Sequence, residues 1–271
     1  MRLLLVLCLL ISFSSHAKLQ NLTVVDGNFS YDKPYGTGDV QKIQFGISKN
    51  NLAGPYAIEI FREENALLLK SEFVDFSWLN PMNFFHDMDK LTIAKGNIQI
   101  GYNKHSLTSP RLMLKPKDKG EFTLQGLTAE CAGASVALNI EVRLVDDCLE
   151  HSRIQITRVD IPDKSMMMEI LSAFPEVPAE EDQPAWDFDL KMDKGDFYMD
   201  FRIKYVIYAG VYAWGHVQFE DDRKVAAIRL DKVKYGYLGV TNLVFNKLRE
   251  MNLPNVTVNE PWIRVKMGTK K

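Results

Sequence analysis

In a chain of 271 residues, 33 basic side chains nearly cancel 35 acidic ones and leave a net charge of −2. That balance excludes the concentrated basic face that nucleic-acid binding needs. The length is enough for one large hydrophobic core or two small ones.

The chain opens MRLLLVLCLLISFSSHA, with one basic residue, an apolar run from Leu3 to Ile11, and small residues at Ser15 and Ala17. This is the layout of a cleavable export signal over residues 1–17, and the mature chain is expected to start near Lys18. The run is much shorter than the roughly 20 apolar residues that span a bilayer. Only Cys131 and Cys148 would then remain, and outside the cytoplasm such a pair is expected to form a structural disulfide.

Next comes LTVVDGNFSY from Leu22 to Tyr31, a phrase that returns as LTIAKGNIQI from Leu91 to Ile100 and as LKMDKGDFYM from Leu190 to Met199. In all three, apolar residues recur at a spacing of two on each side of Gly27, Gly96 or Gly195, and their parity flips across the glycine. A two-residue hairpin loop produces such a flip and favours glycine, because its backbone needs a positive φ. Each phrase is therefore expected to be a hairpin with one oily face, Val24 lying opposite Tyr31. The first two copies stay in register beyond the phrase, with Lys42, Ile43 and Phe45 aligning on Arg111, Leu112 and Leu114.

A short helix fits residues 81–87. Residues 121–128 alternate strictly and predict a strand, as do Val136 to Val145 and Arg153 to Val159, with a turn at Asp146 and Asp147 between the last two. DKSMMMEILSAF, from Asp163, places Met167, Ile170, Leu171 and Phe174 at helical spacing. The stretch from Phe174 to Asp187 carries three prolines and a run of acids and reads as a linker. Strands are expected within Phe201 to Phe219, Lys224 to Leu230, Asn255 to Val258 and Trp262 to Lys266. TNLVFNKLREMN, from Thr241, is expected to be an amphipathic helix ending before Pro254. The fold class is mainly β with two or three helices: a curved antiparallel sheet of repeated hairpins, with a C-terminal helix packed against it. Residues 18–162 form an N-terminal β region, 163–187 a helix and linker, and 188–271 a C-terminal region of sheet plus helix.

Catalytic chemistry finds little support. No G-x-S-x-G elbow, phosphate-cradling glycine loop or H-E-x-x-H pattern occurs, and His86, His105, His151 and His216 are scattered without metal-ligand spacing. No catalytic residue, metal or cofactor is assigned. The most informative stretch is YVIYAGVYAWGHVQF, from Tyr205 to Phe219, which is apolar at both parities. One parity should meet the core. The other is the candidate lining of a lipid groove, with Val206, Tyr208, Tyr212 and Trp214 as its residues.

LTVVDGNFSY and LTIAKGNIQI resemble the recurrent strand, glycine turn, strand units of AsmA-like envelope proteins. VQFEDDRKVAAIRLDKVKYGYLGVTNLVFNKLREMNLPNVTV is similar, in its order of strand, strand, amphipathic helix and strand, to LmeA-like tubular lipid-binding proteins. The resemblance implies a long curved sheet wrapped partly around a helix, with an oily interior that holds or passes lipids in the bacterial envelope. The expectation is an exported protein, periplasmic or extracellular, that binds or ferries a lipid or other amphiphile without catalysis and touches membranes at most peripherally. The alternative is a structural module that recruits an envelope protein through its β-edges.

Overall fold

A computed structural model describes residues 22–45, 50–63, 66–72, 88–101, 103–116, 120–135, 140–160, 185–204, 208–221, 223–253 and 255–266. The expected export signal, the expected helices at 81–87 and from Asp163, most of the linker and Val206 lie outside these residues.

The strands are β1 (Leu22–Asp32), β2 (Tyr35–Phe45), β3 (Asn50–Glu63), β4 (Ala66–Lys70), β5 (Met88–Ile100), β6 (Lys104–Pro116), β7 (Phe122–Ala132) and β8 (His151–Asp160). They continue as β9 (Ala185–Asp193), β10 (Asp196–Lys204), β11 (Tyr208–Glu220), β12 (Val225–Tyr235), β13 (Leu238–Gly239), β14 (Val256–Asn259) and β15 (Trp262–Lys266). Helix α1 (Ile140–Glu150) precedes β8, and α2 (Thr241–Glu250) follows β13. All the strands join one 15-stranded sheet in the order β14-β15-β12-β11-β10-β9-β8-β7-β6-β5-β1-β2-β3-β4, with β13 paired to β12. Every pairing is antiparallel. Strands β8 and β9, on either side of the expected linker, pair directly. The sheet is open, with β4 and β14 at its edges.

Gly27 and Gly96 are not hairpin turns. Each lies inside an unbroken strand, and Val24 pairs with Ile43 and Ile98, not with Tyr31. The parity flip comes instead from β-bulges, which insert an extra residue and turn the next side chain to the other face. Along β1 the inward residues are Leu22 and Val24, then Gly27, Phe29 and Tyr31; along β5 they are Leu91 and Ile93, then Gly96, Ile98 and Ile100. The expected oily face is thus present, reached by another route. Asp26 and Lys95, just before the glycines, take φ values of 51° and 46°. Gly27 faces Gly96 across the pair. A Cβ on Gly27 would fall 2.6 Å from the Phe29 ring, and one on Gly96 would fall 2.7 Å from Ile93.

The asparagine after each glycine serves the other strand. Asn97 Oδ1 accepts the Asp26 N–H at 3.2 Å, and Asn28 Oδ1 accepts the Lys95 N–H at 3.0 Å. Asn28 also donates to Asp39 and Asn97 to Thr108, at matching places on β2 and β6. The two phrases therefore repeat because β1 and β5 answer one another across a local two-fold relation.

The same step of three between inward residues recurs at this level on neighbouring strands: Val40 to Ile43, Ser109 to Leu112, Leu124 to Leu127, Ile156 to Val159 and Ala185 to Phe188. Gly126 and Asp187 carry positive φ there as well. A seam of irregular backbone thus crosses the sheet from β2 to β9, ending where Asp187 meets the regular strand β10. Bulges bend strands and increase their twist, so this seam curves the sheet. Leu22, Val24, Tyr31, Val40, Ile43, Ile58 and Leu112 are core residues on the inner side of that curve.

The strand expected over Val136 to Val145 is, from Ile140 onward, helix α1, and Asp146 and Asp147 lie within it, not in a turn. Its sequence fits both periods. Val142 and Leu144 continue a strand alternation, while Ile140, Leu144, Val145, Cys148 and Leu149 share a helical stripe. Tertiary partners decide the outcome, and here they are β7, β8 and β9.

Candidate functional site

The side of β11 expected to meet the core does so. Ala213, with Leu230 and Val233 of β12, buries Phe245 of α2, which is 1 % exposed, and Val211, Phe197 and Met199 pack around them. Thr241 Oγ1 accepts the Val233 N–H at 2.8 Å and fixes where the helix begins. The expected helical face of Val244, Leu248 and Met251 therefore omits the residue that anchors it.

From this point one row of cross-strand partners runs the width of the sheet. Val233, Ala213, Met199, Leu190 and Ile154 pair in succession from β12 to β8. Ala129, Leu107, Ile98, Val24 and Ile43 continue the row to β2. Every member is apolar. The ends of the row are buried, whereas its middle, from Ile98 to Met199, is only half-buried. At about 4.8 Å per strand, that middle is roughly 24 Å long.

One end of the inner face is closed by α1, which packs on β7, β8 and β9. Cys148 of the helix is bonded to Cys131 of β7, as expected. Beside that link, the His105 ring and the Asp147 carboxylate meet at 2.7 Å, with side chains 6 % and 1 % exposed. The other Asp147 oxygen accepts the Ser135 N–H at 2.9 Å. Gly195 behaves as expected: with Lys194 it forms the two-residue loop between β9 and β10, at φ 84°. The N–H groups of this loop donate to the last carbonyls of α1, Lys194 to Glu150 at 2.7 Å and Gly195 to Leu149 at 2.8 Å. A hairpin thereby caps the end of the helix, whose carbonyls have no partner within the helix itself.

Tyr212 and Trp214 stand on the opposite face, away from α2, half-buried and with ring centroids 6.3 Å apart. Trp214 lies 5.3 Å from Tyr198, its cross-strand partner. Lys191 sits 5.9 Å from the Tyr198 ring and Lys232 5.9 Å from the Trp214 ring, so cations flank the aromatics. Burial, and a hydrogen bond to Asp200, push the Tyr198 phenol from 10.0 up to about 12. Arg153 grips Asp189 through two hydrogen bonds of 3.1 and 2.8 Å and holds that carboxyl below its ordinary range. Tyr208 opens β11 opposite Lys204. Of the four candidates, the structure brings Tyr212 and Trp214 together on this face.

Among the described residues, no three His, Cys, Asp or Glu side chains converge as metal ligands, and no helix is long and apolar enough to cross a membrane. Compared with protein families, curated proteins and solved structures, the chain matches none. Sequence reasoning missed Tyr198, although it follows Phe197 in the third phrase at the outward parity. It also missed the His105–Asp147 pair, whose members are 42 residues apart.

Proposed function

We propose that this protein is exported and carries a lipid or other amphiphile, without catalysis, on the inner face of its sheet. The observation that supports this best is the ten-strand apolar row whose middle is half-buried. A sheet face built only to pack would be most deeply buried at its centre. Here the centre presents Ile98, Leu107, Ile154, Leu190 and Met199 as a strip about 24 Å long, matching an extended hydrocarbon chain. Such a site binds through shape and apolar area, so its ligands share hydrophobicity more than a head group. The aromatic candidates Tyr212 and Trp214 lie on the other face, and the lining role is assigned here to the row.

The test is extraction and native mass spectrometry of lipid from protein purified out of its own exporting compartment. Leu190→Glu should lose the lipid while keeping its β-sheet circular dichroism, and Trp214→Glu should retain it. Lipid-free wild-type protein would refute the proposal. A second reading, recruitment of an envelope protein by strand addition, draws on the two edges that are open among the described residues: β4 is the apolar sequence ALLLK, and an unpaired edge is a template for another strand.

A further inference from the structure

Among the described residues, the large apolar side chains that stand far out of the fold share one end of it. Tyr237 is 102 % exposed, Leu238 68 % and Tyr35 72 %. Tyr35 starts β2 opposite the end of β1, and Tyr237 and Leu238 form the tip between β12 and β13. Following the ladder from Asp32 through Lys90, Leu114, Phe122, Val159, Ala185 and Ile203 to the start of β11 and the end of β12 places both positions on the same rim. Nine strand spacings separate β2 from β12, so the rim runs for roughly 40 Å. Helix α1 closes the opposite end.

The tip is held in place: the Gly236 N–H donates to the Gly210 carbonyl at 2.8 Å, and Gly236 takes a φ of 56°. Two lysines lead into it: from Lys232 to Asn246 the chain reads KVKYGYLGVTNLVFN, with Lys232 and Lys234 and no acid, while Lys247 and Arg249, farther along α2, are paired with Glu250 and Glu260. An exposed tyrosine and leucine beside lysines match the boundary between bilayer head groups and acyl chains, where aromatic rings settle and lysines reach anionic head groups. A protein interface would not require the apolar tip and the two lysines to coincide.

We infer that the tip at Tyr237 and Leu238 inserts into the surface of an anionic bilayer, with Tyr35 as a second contact farther along the rim. This docking does not depend on what the inner face carries. The test is co-sedimentation of the mature protein, with and without prior delipidation, using vesicles of phosphatidylglycerol and of phosphatidylcholine. Wild type should sediment with the former, and high salt should release it. Tyr237→Ser with Leu238→Ser should weaken binding about tenfold or more, with unfolding midpoint and circular dichroism unchanged. Lys232→Gln with Lys234→Gln should weaken it by about fivefold per lysine, on anionic vesicles only. Equal sedimentation of wild type and the tip variant, equal binding to both vesicle types, or binding to neither would overturn the inference, the last leaving a protein partner as the occupant of the tip.

Discussion

The anchoring of α1 makes a sharp energetic prediction at His105. Its ring is the only side-chain partner of the Asp147 carboxylate described across that interface, at 2.7 Å, and the Ser135 N–H supplies the other bond. His105→Phe keeps a ring of similar size in β6 but leaves a carboxylate buried against a phenyl group. Leaving a buried carboxylate without its partner costs about 3–5 kcal/mol, whereas replacing both members of such a pair is close to neutral. The double variant His105→Phe with Asp147→Asn retains an acceptor for Ser135 and removes the stranded charge. It should therefore be more stable than His105→Phe alone, by about 2 kcal/mol, which corresponds to a rise of about 1 M in the urea midpoint. Both variants must be compared with the Cys131–Cys148 bond intact, because closing a loop between cysteines 17 residues apart itself contributes about 3 kcal/mol. Equilibrium urea unfolding followed by circular dichroism measures the cycle. Additive losses, with the double variant weaker than either single one, would refute the claim that the carboxylate depends on the imidazole.

Two further outcomes are expected. Phe245→Ala, at the buried centre of α2, should cost about 3–5 kcal/mol, and amide exchange in α2 and β12 should accelerate while β1 and β5 keep their protection. For Tyr198 the folded phenol titrates above its ordinary value, so the stability it adds is complete below about pH 10 and is lost as pH rises through the folded value of about 12. Wild type should thus lose more stability than Tyr198→Phe as alkali is added; parallel urea-midpoint curves for the two would contradict the assigned cause.

The fold was largely legible because strand periodicity survives in the sequence wherever one face is buried. EFTLQGLT, residues 153–159 and the expected C-terminal strands are indeed strands β7, β8, β12, β14 and β15, although β7 and β8 each break strict alternation once, at the seam. What the letters could not separate was a turn from a bulge, since both reverse parity around a glycine. LTVVDGNFSY and LKMDKGDFYM look alike, yet β1 runs straight through Gly27 while β9 ends before Gly195. Long-range partners make that difference: Gly27 has strands on both sides to pair with, whereas Gly195 is drawn to the end of α1. Helix α1 was misread for a related reason, its residues fitting either period until Cys131 and His105 select the helix. The apolar row could not be seen at all, because it links residues that only the pairing brings together.

The seam from β2 to β9 has a consequence for how the strands find their alignment. In a regular ladder, sliding one strand by two residues preserves which side chains face inward, so such a slip is poorly resisted. Here each inward pattern inverts once, at a fixed level. A strand displaced by two would have its inversion out of step with its neighbours, sending one oily residue outward and one polar residue inward, and separating Asn28 and Asn97 from the amides they hold. The seam works like the notch in a key: it singles out one alignment from a set that alternation alone would leave nearly equivalent.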